Sequence, residues 1–453
     1  MGRKKLIILD NQTAYLPGVK AAVTFSRSLI ADPVRDPIKI NFKDKNIRGV
    51  VPWGETNDLP QQIMKQIYES PVASSGLQFN ISMGYGDGIA YGRWITDSKG
   101  KKKFQEITDN KEINEFFDDN DINNYLLEQV NDISFFYNIF PEIVLSKSGK
   151  IVELHHKEAS FSRWGEMNPD TGLIDHHFYS ARWAKSPQAD EIDITPVLSP
   201  WNTVKDLKVR MGIIPDKNGR KRTATHYRFI IPVSLPTPGR NYYQKPYWFS
   251  IIESGWLEYS KKIPEFKNAL LDNQMFIKYH VELSDDYFDK IFKAEGINEP
   301  KAQQERIKKE YQDLNNFLGK VKNTGKSVIS FIRYSADGKE LRRMKINVID
   351  NKTQSGEYVE DSEEASNIIS YAMGVHPSLI GSSPGKNKTI SGSEARELFI
   401  IKQALMKPVR DRLLRPLYII KRFNGWPEDI HFTIPNIVLT TLDRGTGSEK
   451  VIS

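Results

Sequence analysis

A long helical pattern that contains two prolines constrains this chain more than any other feature. From about Gly392 to Phe423 apolar residues recur close to every fourth position, at Leu398, Ile401, Leu405, Val409, Leu413 and Leu417, which predicts an amphipathic helix with one buried face. Ser391 followed three residues later by Glu394 has the spacing of a capping box and marks the start. Pro408 falls inside the pattern, where a missing N–H and a ring clash cost about 3 kcal/mol unless the helix bends, and Pro416 offers a second bend or break. Such a kink suits a helix that must turn around something.

Upstream, residues 58–82 read as a helix interrupted near Pro71, with Leu59, Ile63 and Ile67 at spacing four. Gly84, Gly86 and Gly88 end it. From Ile133 to Trp183 the pattern changes to short β-rich runs: Phe135 to Leu145, Ile151 to Leu154, and Leu173 to Tyr179 after the Asn168–Gly172 turn. Another strand pair is expected around the basic turn Asp216 to Arg222, with His226 to Val233 as its return limb. A helical stripe follows at Trp248, Ile251, Ile252, Trp256 and Tyr259, kinked near Ile263 by Pro264. Residues 276–350 form a small α/β insertion: a strand at Phe276 to Val281, an amphipathic helix from Gln303 to Val321, and strands at Ser327 to Tyr334 and Leu341 to Val348 around Asp337-Gly338. A helix from Ser362 to Met373 ends at Gly374. The expected fold class is α+β, with no internal repeat.

With 453 residues, 39% hydrophobic, the chain can bury one substantial core and two or three subdomains. Its 27% charged content and mean hydropathy of −0.50 indicate a large wet surface, and no stretch approaches the roughly 18 apolar residues of a membrane span. Arg3, Lys4 and Lys5 precede only Leu6 to Leu9, too short for a secretory segment, so a cytoplasmic product is expected. With no cysteine, disulfides, thiolate metal sites and cysteine nucleophiles are excluded. The net charge of +7 is concentrated: Lys301 to Asp350 holds 12 Lys or Arg against 6 Asp or Glu. That excess is either a solvated surface or one that meets a polyanion or an acidic partner.

Most candidate chemical sites fail on spacing or context. Gly319 to Ser327 resembles a phosphate-binding loop, but five residues separate its glycines and it runs from a helix into a strand, the reverse of a nucleotide cradle. Gly84-Tyr85-Gly86-Asp87-Gly88 lacks a dinucleotide fingerprint and reads as a turn. His155-His156 and His176-His177 sit on expected strands, where neighbours point to opposite faces, so at most one of each pair could share a ligand face. Asp118, Asp119 and Asp121 lack the glycine and terminal glutamate of a calcium loop. No Gly-x-Ser-x-Gly elbow occurs. Neither catalysis nor a cofactor is expected.

The succession of a β-rich region, a kinked helix beginning at Tyr243-Gln244-Lys245-Pro246-Tyr247-Trp248, an α/β insertion, a second helix, a polar loop and a Pro-bent helix resembles tailed-bacteriophage portal proteins over nearly the whole chain. Ile369-Ser370-Tyr371-Ala372-Met373-Gly374-Val375-His376-Pro377-Ser378-Leu379-Ile380-Gly381 resembles the portal segment in which a helix ends at a Gly-Val-x-Pro turn. The string from Val51 to Pro60, VPWGETNDLP, is similar to portals of phages and prophages of Bacteroides-like hosts.

The resemblance implies a wing at 1–245, stem helices at 246–275 and 353–374, a clip at 276–352, a tunnel loop at 375–390, a long kinked wing helix at 391–424 and a reduced crown at 425–453, with Gly445 to Ser448 in a flexible tail. It implies a ring, usually a dodecamer, at one capsid vertex of the virion, through which double-stranded DNA is packaged and ejected without sequence reading. Implied partners are the terminase large subunit, the major capsid or scaffolding protein, and a head-completion or neck adaptor protein, with no membrane. Ser383, Lys386, Asn387, Lys388 and Thr389 would face the DNA, whose duplex carries one phosphate charge per roughly 1.7 Å. Lys320, Lys322, Lys326, Arg342 and Arg343 would form the basic clip surface, and Pro408 the helix kink. The alternatives are another virion structural protein, such as a neck adaptor or capsid-associated protein, and a DNA-packaging ATPase or nuclease.

Overall fold

A computed structural model of the chain describes residues 37–40, 42, 47–216, 218–274, 279–284, 286–319, 333–334, 340–341, 344–348, 359–381 and 391–437, with the strands Ile7–Ile8, Thr13–Leu16 and Ala21–Thr24. The fold is α+β, built from helices and several small antiparallel sheets. It divides into two units, Met1–Ile263 with Tyr358–Ser453, and Pro264–Glu357.

In the larger unit the strand Asn138–Leu145 pairs with Ile151–Lys157 along one edge, and with Arg228–Ile230 and Val233–Ser234 along the other. Because successive side chains leave opposite faces of a strand, it serves two cores at once. Ile139, Ile143 and Leu145 enter one core with Ile133, Leu417 and Ile420, whereas Phe140 enters the other with Trp53, Leu77, Trp164 and Ile369. The only carboxylate on this strand, Glu142, is buried, but it accepts a hydrogen bond from Thr195 Oγ1 at 3.2 Å and lies 3.5 Å from Lys157 Nζ. A buried charge is tolerable only with such partners.

Several boundaries differ from expectation. The helix Ile122–Phe136 runs through Phe135 and stops where Tyr137 turns left-handed at φ 56°, so the strand begins at Asn138. The strand pair around Asp216 to Arg222 does not form. The preceding residues Thr203–Arg210 are a helix carrying an Asp206–Arg210 ion pair, and Arg228–Ile230 pairs instead with Asn138–Leu145. The turn itself stands, held by the Asp216 carboxylate, which accepts the N–H groups of Asn218 and Arg220. The break near Pro71 is as expected: Ser70 caps the helix Pro71–Tyr85, and Leu59, Ile63 and Ile67 of the preceding helix Leu59–Tyr68 are buried. Gly84 to Gly88 closes the second helix as a turn, and a Cβ on Gly86 would lie 2.7 Å from the Pro435 carbonyl oxygen. The stripe after Pro246 is broken at Ser254-Gly255 before the helix Trp256–Gln274, which contains Pro264.

The long Pro-bent helix is three helices, Gly392–Leu405, Lys407–Leu413 and Arg415–Asn424. Pro408 and Pro416 each sit in a first turn, where the absent N–H costs nothing. The single buried face is also corrected. Leu413 and Leu417 are buried, but Ile401 and Leu405 are exposed while Gln403 and Met406 point inward. A step of four residues advances about 40° beyond a full turn, so a stripe kept over the four such steps from Ile401 to Leu417 winds off one side of the helix. Past it, Trp426, Ile430, Phe432 and Ile434 pack into the core, and His431–Thr433 pairs with Ala90–Thr96. Residues 445–448 lie outside the described residues.

In the smaller unit Tyr279–Leu283 pairs antiparallel with Met344–Val348, and Arg333–Tyr334 with Glu340–Leu341. Two helices lie between these pairs in sequence, Tyr287–Glu295 and Pro300–Gly319. They are joined by Arg306, which contacts Glu295 and Glu310, and by the Phe288 ring edge-on to Tyr311.

One buried cation locks distant segments together in the larger unit. Arg163 is fully buried, with no carboxylate hydrogen-bonded to it among the described residues. Its guanidinium donates to Asn57 Oδ1 and the Asn57 carbonyl at 2.6 Å each, and to the carbonyls of Ser160 and Ser162. It lies between the rings of Trp53 and Trp183, and burial pulls its pKa down to about 10. The string VPWGETNDLP is folded around this contact. Asn57 is left-handed at φ 60°, its Oδ1 also accepts the Trp53 N–H, and Trp53 stacks on Tyr243 at 4.3 Å. Replacing Arg163 with alanine strands these acceptors and should cost at least about 3 kcal/mol of stability. Urea unfolding of purified protein measures this, and a loss under about 1 kcal/mol would show that the segment is held by something else.

Candidate functional site

The expected DNA-facing residues Ser383, Lys386, Asn387, Lys388 and Thr389 lie outside the described residues, and so do Lys320, Lys322, Lys326, Arg342 and Arg343. The structure instead shows the residues on either side of 382–390. The helix Val359–Ala372 ends as Gly374 N–H donates to Tyr371 O and Val375 N–H to Ser370 O. Met373 and Val375 are buried, and the Asn80 side-chain amide donates to the Met373 carbonyl at 2.9 Å. The short helix Pro377–Ile380 then starts with His376 Nδ1 accepting the Ser378 N–H, and it packs against Gly392–Leu405. On the far side of the loop Ser391 Oγ accepts the Glu394 N–H at 3.1 Å, as its spacing predicts.

A lysine that the sequence pattern did not single out links the two sides. Lys402 Nζ donates to the Gly374 carbonyl at 2.9 Å, placing a cation where the Val359–Ala372 helix leaves its unpaired carbonyls. Burial pulls its pKa down to about 8. The available signal was its position about three turns into the last helical region, but its partner is 28 residues upstream.

The histidines do not assemble a ligand set. His155 is half-exposed beside Glu153 and Glu142, whereas His156 points inward, where Gln129 Nε2 donates to its Nδ1 and its Nε2 faces Asp132 at 3.2 Å. Burial holds His156 down to about 4 and raises Asp132. His177 is fully buried against Phe140 and Trp164, and burial, with Lys157 nearby, takes it down to about 3. Among the described residues no group of three His, Asp or Glu could hold a metal ion, and no helix is long and apolar enough to cross a membrane.

This α+β architecture is shared with chains of gene transfer agent particles. The structure is similar to a chain from the virion of a native gene transfer agent particle, with a TM-score of 0.54 and 14% identity over 82% of each chain. It is also similar to chains from two neck structures of such particles. The neck of the empty particle, computed with C6 symmetry, gives a TM-score of 0.51 and 13% identity over 82% of this chain and 83% of that one. The neck of the native particle, computed with C12 symmetry, gives a TM-score of 0.51 and 14% identity over 82% of each. No family model matches the sequence, and no curated protein matches it.

The Lys402 clamp has a pH signature. The unfolded lysine keeps its proton to about pH 10.4, so between about pH 8 and that value the unfolded chain binds more protons and stability rises with pH. Urea midpoints of the wild type and Lys402→Met at about pH 7.5 and 9.5 should show the wild type gaining on the variant as pH rises. A pH-independent difference would mean that the ammonium is not desolvated in the fold.

Proposed function

We propose that this chain is the portal subunit of a tailed-bacteriophage or phage-derived particle, a non-enzymatic ring at one capsid vertex through which double-stranded DNA enters and leaves. The observation that carries this reading is the fold shared over 82% of the chain with gene transfer agent virion and neck chains, two of them from structures computed with ring symmetry. An exposed apolar stripe supports assembly. Ile400, Ile401 and Leu405 are 63%, 56% and 66% exposed on one outward side of Gly392–Leu405, a face that a neighbouring copy in a ring would cover.

The separate unit Pro264–Glu357, bounded by helical segments, supports its role as a clip with stem helices at its borders. Residues 1–245 with 391–424 would form the wing and 425–453 the reduced crown. The loop within 375–390 would line the tunnel, with Lys386 and Lys388 repeated around the ring and gripping phosphates without reading bases. The terminase motor, the capsid or scaffolding protein and a head-completion protein are the partners of this role, and the virion is its location. The neck origin of two similar chains also fits a neck adaptor. Binding of the terminase large subunit to the purified ring separates the two, because a portal docks the motor.

Negative-stain images and mass measurement of the purified protein should show a uniform ring of about a dozen copies with a central hole. A stable monomer at micromolar concentration would sink the proposal. Lys386→Ala combined with Lys388→Ala should leave the ring intact and reduce DNA packaging or retention. Normal genome filling by that variant would remove the loop from the mechanism.

A further inference from the structure

A cleft of about 340 Å³ opens in the larger unit between the Pro200-Trp201 turn, the 232–242 segment and the last helices. Three arginines, Arg240, Arg412 and Arg415, line it, and no Asp or Glu does. The guanidinium of Arg412 makes no hydrogen bond or ion pair among the described residues. Arg415 is held by a bond from its Nη2 to the Pro200 carbonyl at 2.5 Å. Burial and the like charge of Arg412 depress the Arg415 pKa. Two like-charged guanidinium groups thus share one cleft whose lining holds no Asp or Glu, an arrangement that an anion would relieve.

The walls say what kind of anion. Pro200, Pro232 and Pro236 offer no N–H to cradle a small phosphate. Trp201, 73% exposed, lines the cleft with the arginines. Trp and Arg are the residue types that dominate protein–protein contacts. A groove that tracks a nucleic-acid backbone needs cations strung out along it, whereas these share one cleft of mixed polar and apolar lining.

The geometry points to a docking site for an acidic peptide segment of a partner protein, with carboxylates on Arg412 and Arg415 and an apolar side chain against Trp201 and the prolines. This goes beyond the proposed ring role and does not depend on it, because peptide binding can be read on whatever assembly the protein forms.

The test uses a fluorescein-labelled peptide of alternating Glu with Leu and Phe, followed by anisotropy with the full-length protein. A matching Gln peptide and a short single-stranded oligonucleotide are run beside it. The Glu peptide should bind, weaken with salt, and lose at least about tenfold in affinity with Arg412→Glu or with the Gln peptide. Arg412 has no partner to lose and its charge repels Arg415, so this variant should unfold at or above the wild-type temperature. Arg415→Ala, which forfeits the Pro200 bond, serves as the second variant. The proposal is overturned if the Glu peptide does not bind, if Arg412→Glu leaves its binding unchanged, or if the oligonucleotide displaces it through the same arginines. It is also overturned if Arg412→Glu abolishes self-association while the wild type ignores the peptide, which would assign the cleft to a second copy.

Discussion

The buried guanidinium of Arg163 is the contact on which the larger unit most depends. A fully buried cation with no carboxylate hydrogen-bonded to it among the described residues is expensive, and it survives here because carbonyl and amide oxygens meet its donors while two indole rings flank it. Those oxygens come from the 51–60 string and the 160–162 turn. Tyr243 joins them by donating to the Val51 carbonyl and accepting the Trp164 N–H. Arg163 and Tyr243 together therefore tie three stretches, around 51–60, 160–164 and 243. The order in the core around Trp53, Phe140 and Trp248 follows from that closure.

The same principle, polar groups placed so that packing can proceed around them, recurs at smaller scale. Glu142 sits inside the central sheet because Thr195 and Lys157 reach it. Arg410 donates to the Met83 carbonyl and to Asn436, tying Pro71–Tyr85 and the segment after His431–Thr433 to the middle of the segmented helical run. Lys402 does the same for the end of Val359–Ala372.

Local signals in the sequence were readable and long-range ones were not. The Ser391 cap, the break at Pro71, the Asn168–Gly172 turn and the end of the helix at Gly374 depend on neighbours a few residues away, and the structure has them. The helices Lys111–Asp119, Ile122–Phe136 and Tyr287–Glu295 were missed. Lys111–Asp119 and Tyr287–Glu295 are nine residues each, too short for positions such as Phe288, Ile291 and Phe292 to stand out, whereas Ile122–Phe136 carries a legible step at Ile122, Leu126, Val130 and Ile133. The partner of Arg228–Ile230 could not be read, because strand pairing is settled by which distant edge is free. At the site, the string VPWGETNDLP was visible as a pattern, but its function of enclosing Arg163 was hidden by the distance between them. The cleft of Arg240, Arg412 and Arg415 gave no signal, since its three members come from separate turns and helices.

The strand Asn138–Leu145 shows what an alternating, doubly buried segment does to a protein's history. Removing one residue from it would send the isoleucines toward the tryptophans and Phe140 toward the leucines, exchanging the contents of two cores in one step. Its length is therefore tightly constrained, whereas exposed turns such as 147–150 and 218–222 can gain or lose residues without touching either interior. Lineages carrying this fold should diverge in the size of those turns long before they diverge in the spacing between Ile139 and Ile143.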